Sequence, residues 1–83
     1  MKYYTYILFS EKIKRHYIGQ TNNIYNRVKR HNEGKEKYTK KGTPWKLICA
    51  VELNTRAEAM KLERKLKNFK STKRLQEWIE DNR

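Results

Sequence analysis

Two runs, YYTYILF (3–9) and WKLICAVEL (45–53), constrain this chain most. Both are rich in β-branched and aromatic residues and bounded by polar segments, so each reads as a β-strand. Only 36% of the 83 residues are hydrophobic, which is material for one modest core and none for a second. The solution open to such a chain is one small sheet covered by a few helices, a single domain spanning residues 1–83. Charged residues also reach 36%, yet six tyrosines, two tryptophans and two phenylalanines argue against disorder.

The remaining segments complete the order β-β-α-β-α-α. SEKIKR reads as a hairpin loop that leads into a second strand, HYIGQT (16–21). Asn22 or Asn23 caps a helix from Ile24 to about Glu33, and Gly34 stops it. Residues 34–44, GKEKYTKKGTP, read as an exposed basic loop. The run at 45–53 is apolar enough to be the central strand. Thr55 and Glu58 form a capping box for a helix reaching about Phe69. Ser71 caps a last helix over 72–82, with Leu75, Trp78 and Ile79 on its apolar face. The expected architecture is α+β: a small three-stranded antiparallel or mixed sheet with the helices packed on it.

The net charge of +12, from 21 Lys and Arg against 9 Asp and Glu, points to a polyanionic partner. Nucleic acid fits, because neutralising phosphates releases condensed counterions. An anionic membrane ranks lower, since no stretch pairs a strongly apolar face with a wholly basic one. Cys49, the lone cysteine, lies in LICAV with no Cys or His at metal-ligand spacing, and reads as a buried structural thiol. No apolar signal segment follows MKYYTY and no run is long enough to span a bilayer, so a soluble cytoplasmic protein is expected.

Chemistry concentrates at five residues. On the first helix Ile24 and Val28 centre the apolar face, His31 falls close to it, and Arg27 lies one turn before His31 on the flank. Alone, that pair describes a solvated basic helix with a half-buried histidine. On the next helix Ala59, Leu62, Leu66 and Phe69 mark the buried stripe, with Glu63 at its edge. Glu63 reads either as an ion-pair partner of Lys67 or as a carboxylate for a hard divalent cation, which needs few protein ligands when substrate phosphate completes its shell. Tyr6 and Tyr17 share a face of the hairpin only if paired residue numbers sum to an odd value, which requires an even loop.

Together these residues resemble the GIY-YIG endonuclease superfamily over nearly the whole chain. YTYIL stands at the first signature segment, with Tyr6 as its tyrosine and Tyr4 at the glycine position. YIG follows unaltered at Tyr17, Ile18 and Gly19. RVKRHN supplies Arg27 and His31, AMKLERKLK supplies Glu63, and Gln20 stands where several family nucleases carry lysine. The small stand-alone bacterial members are most similar, and the catalytic domains of excision-repair nucleases and homing endonucleases are more distant. The resemblance implies metal-dependent hydrolysis of DNA phosphodiesters with one Mg²⁺ or Mn²⁺ held by Glu63. In it Tyr6, aided by His31, takes the proton of the attacking water. Arg27 neutralises the phosphoryl oxygens and Tyr17 orders water or phosphate. Arg27, the metal and the excess positive charge are expected to lower the Tyr6 pKa.

Nucleic-acid contacts are expected from Arg30, Lys37, Lys40, Lys41 and Lys67, with a protein partner as a further source of specificity. The alternative is a non-catalytic nucleic-acid-binding module on the same fold. A pure binder gains nothing from a carboxylate facing a phosphate, so Glu63 favours the enzyme. A protein-interaction domain leaves the five residues as coincidence.

Overall fold

The computed structural model describes all 83 residues. Their order is β1 (Tyr3–Ser10), β2 (Arg15–Thr21), α1 (Ile24–Asn32), a 3₁₀ turn (Lys40–Gly42), β3 (Trp45–Leu53), α2 (Arg56–Lys67) and α3 (Thr72–Asn82). The sheet is antiparallel throughout, in the order β2-β1-β3.

The central strand is therefore β1, not the run at 45–53 as its apolarity suggested. Thr5, Tyr6, Ile7 and Leu8 are buried in succession, as a strand covered on both faces requires, whereas β3 is half exposed along its length. Hydroxyls disguise this in the sequence. Thr5 satisfies its buried Oγ1 by donating to the Ala59 carbonyl of α2 at 2.7 Å, which makes the polar residue admissible there.

Ser10 pairs with Arg15 across a four-residue turn, so the loop is even and Leu8 lies opposite Tyr17, Tyr6 opposite Gly19. That register puts Tyr6 and Tyr17 on one face, diagonal to each other. A bulge then re-phases β3. Ile7 pairs with Cys49 but Leu8 pairs with Leu47, leaving Ile48 as the extra residue. Without it Trp45 would share the face of Cys49; with it, Trp45 joins the tyrosines.

Helices flank the sheet on both faces. One core gathers Ile7, Ile18 and Cys49 beneath Leu66 of α2 and Leu75 and Ile79 of α3. The other, on the opposite face, gathers Tyr6, Leu8 and Trp45 beneath Ile24 and Val28 of α1. Cys49 is buried, and burial pushes its thiol pKa up. The caps are as expected: Asn23 accepts from the Asn26 amide, Thr55 and Glu58 close a capping box, and Ser71 accepts from the Arg74 amide. Gly34, at φ +75°, ends the first helix in the left-handed conformation. Helix α2 stops at Lys67, and Phe69 packs on the first core from beyond it. No helix is long and apolar enough to cross a membrane.

Candidate active site

Tyr6 is the centre of the tyrosine face and is fully buried. Its ring lies across Gly19 on the neighbouring strand. A Cβ on Gly19 would stand 2.7 Å from Tyr6 Oη and 2.8 Å from its Cζ, so the glycine is the space the phenol occupies. Tyr17 lies diagonally beside it, with ring centroids 6.3 Å apart.

Helix α1 brings the next two groups. Ile24 and Val28 anchor it on the second core, and one turn later His31 enters the same layer, only 1% exposed. His31 Nε2 is 3.0 Å from Tyr6 Oη, and its ring lies tilted against that of Tyr17, with centroids 4.8 Å apart. Arg27, half-buried on the preceding turn, lies beside both Tyr6 and His31.

Two residues that the sequence reading passed over hold this arrangement. Thr39 is buried, and its Oγ1 lies 2.7 Å from His31 Nδ1 and 3.4 Å from the Glu36 carbonyl. Its own carbonyl accepts the Trp45 indole N–H at 2.7 Å. Asn32 pairs with Trp45 as a strand would, accepting from its amide and donating to its carbonyl at 3.1 Å. A threonine among lysines and an asparagine at a helix end carry no pattern that marks them in sequence.

The proton positions follow from the charges. Burial, then Tyr17, drives the Tyr6 pKa well above that of a free phenol, while Arg27 acts the other way and is outweighed. The expected lowering of this pKa is therefore corrected: desolvation dominates. Burial also holds the His31 pKa below the usual histidine range, opposed in part by Glu36. With Tyr6 protonated and His31 neutral, the phenol donates to Nε2. Nδ1–H then donates to Thr39, whose hydroxyl donates to the Glu36 carbonyl.

Glu63 lies elsewhere. It is on α2, across the sheet from this cluster, half-buried, with its carboxylate 2.7 Å from the Lys67 ammonium. The structure thus brings together Tyr6, Tyr17, Arg27 and His31, whereas Glu63 is carried by α2, the helix that packs over the first core on the opposite face. Of the basic residues, Arg30 pairs with Glu36 at 2.9 Å, and Lys37, Lys40 and Lys41 are exposed on the loop that turns Thr39 inward. No group of three His, Cys, Asp or Glu side chains gathers anywhere.

Comparison with known proteins identifies the family and the fold. The family model of the GIY-YIG catalytic domain matches residues 2–76. The UPF0213 protein YazA of Bacillus subtilis is 43% identical over 68 residues, 81% of this chain and 68% of that one. A UPF0213 protein of Staphylococcus haemolyticus is 36% identical over 75 residues, covering 89% of this chain and 90% of its own. The solution NMR structure of a UPF0213 protein from Bacillus halodurans superposes with a TM-score of 0.62 at 30% identity, over 96% of this chain and 84% of that one. The chain belongs to the GIY-YIG catalytic-domain family, a family of nuclease type, alongside the UPF0213 proteins.

Proposed function

We propose that this protein is a divalent-metal-dependent endonuclease acting on DNA. One observation carries the reading: a buried phenol hydroxyl 3.0 Å from a histidine nitrogen that burial keeps free to accept a proton, with an arginine alongside. A mere phosphate-binding surface has no use for a buried proton acceptor behind its cation.

In this mechanism Arg27 leaves the phenol for the non-bridging oxygens of the scissile phosphate, which admits the attacking water to Tyr6. The water's proton passes to Tyr6 Oη as the phenol's own proton passes to His31 Nε2. The imidazolium so formed keeps Nδ1–H on Thr39 and gains from the Glu36 charge. Tyr17, half exposed beside them, orders the water and the phosphate. The elevated Tyr6 pKa makes the histidine necessary: phenol and imidazole act as one unit.

The donor set suits a metal that needs few protein ligands. Glu63 is a lone carboxylate, and Mg²⁺ or Mn²⁺ can take one protein oxygen, several waters and a substrate phosphate. Such an ion would neutralise charge developing on the leaving oxygen. The Glu63–Lys67 ion pair also favours a second reading, a binding module in which the carboxylate only anchors a lysine.

Cleavage of labelled flap, branched and linear DNA with Mg²⁺ or Mn²⁺, wild type beside Glu63→Ala, separates the two. The nuclease reading expects metal-dependent cutting that is lost in the variant. Tight, salt-sensitive binding with no cutting by either protein identifies a binding module.

A further inference from the structure

A groove of about 770 Å³ extends beyond the tyrosine cluster and touches it only at Tyr17. It is an open groove that wraps the free edge of β2, from Tyr17 on one face to Leu66 and Lys67 of α2 on the other. Since β2 is an edge strand, this is where the face bearing Tyr6, Arg27 and His31 meets the face bearing Glu63. The groove continues past Arg15 at the hairpin and Lys70 after α2 to the start of α3.

Its chemistry is one-sided. Ile18, Leu66 and Leu75, all core residues, form an apolar floor, and Lys14, Arg15, Lys67 and Lys70 stand around it. No Asp, Glu, Asn or Gln lines it. Lys14 and Lys67 already hold carboxylates, Glu11 at 2.6 Å and Glu63 at 2.7 Å, but Arg15 and Lys70 make no ion pair. The first turn of α3 carries no acidic residue, so the positive end of its dipole is left uncompensated at the same place.

We infer that this groove carries the nucleic-acid strand running away from the scissile phosphate, with backbone phosphates on Arg15 and Lys70. The inference rests on the nuclease reading for the scissile end and extends it to a second binding region, distinct from the basic loop at 34–44. The inference assigns these contacts to phosphates, since Arg15 and Lys70 flank an apolar floor and the lining adds no carboxylate or amide for base edges. Binding there is sequence-tolerant and salt-dependent.

The test is fluorescence anisotropy with labelled single-stranded and flapped DNA, in EDTA so that nothing is cut, across a salt series. Wild type is compared with Arg15→Ala/Lys70→Ala and with Lys61→Ala/Lys65→Ala, a pair of equal charge on the exposed side of α2. The groove variant is expected to lose affinity several-fold. Its slope of log K against log salt should shrink by about 1.4, from two phosphate contacts at about 0.7 each on a single strand. The control pair should leave the slope close to wild type. Equal losses in both variants mean diffuse attraction by a +12 protein and overturn the groove, as does an unchanged slope in the groove variant. Absence of DNA binding by the wild type would instead overturn the nuclease reading itself.

Discussion

In the proposed mechanism Thr39 acts only through His31. Its hydroxyl accepts from His31 Nδ1, which leaves Nε2 bare and aimed at Tyr6. Thr39→Val keeps the shape but orphans a buried N–H, at a cost of about 1–3 kcal/mol in urea unfolding. It also frees His31 to adopt the other tautomer, so cleavage should fall and its acid limb move. In the wild type the rate should rise with pH as His31 loses its proton. Burial places that limb below the ordinary histidine value of 6.5, as a pH–rate profile would measure. An acid limb above 6.5 would contradict a buried neutral His31. Part of this scale was legible: helical spacing put Arg27 beside His31, and the resemblance to the GIY-YIG superfamily grouped them with Tyr6 and Tyr17, but the hairpin register that sets the two tyrosines on one face was left open by the sequence. The direction of the Tyr6 shift was not legible, since charge can be counted along a chain but desolvation depends on what covers the ring.

Among the elements, the pairing of β1 with β2 does most to build the site. The Tyr6–Gly19 register leaves no room for a methyl group, so Gly19→Ala should displace the phenol from His31. Overpacking of that kind costs about 1–3 kcal/mol. Cleavage should drop further than stability explains, which activity assays well below the variant's Tm would reveal. The joint between α1 and β3 depends on Asn32, which satisfies both backbone groups of Trp45. Asn32→Ala should lower stability by about 1–2 kcal/mol for two lost hydrogen bonds, and Asn32→Asp, which keeps only the acceptor, by less. Urea midpoints for the two variants give the comparison. Helix positions and caps were readable because their signals are local, as at Thr55 and Glu58. The central place of β1 and the bulge at Ile48 were not, because both depend on which strand lies on each side.

For the whole molecule, the layout around the β2 edge joins fold to function. Arg27 and His31 on α1 meet Tyr6 and Tyr17 on the sheet, and Glu63 is carried by α2, so in the proposed mechanism the substrate meets the protein at that edge to reach both. Stability should also register the buried His31 and the half-buried His16. His16 and His31 both have pKa values held below 6.5 by burial, so the unfolded chain takes up their protons first. Stability is then steady above about 6.5 and falls as pH drops below it, which Tm measured across that range would follow. A flat Tm there would contradict the burial of His31.

Wild type and Tyr6→Phe should be compared under single-turnover conditions on the best-cut DNA, with Mg²⁺ or Mn²⁺ and with binding measured in parallel. If phenol and imidazole act as one proton acceptor, the variant binds DNA as tightly as wild type but cuts it about 10²–10⁴-fold more slowly. Full-rate, metal-dependent cleavage by Tyr6→Phe would contradict the account.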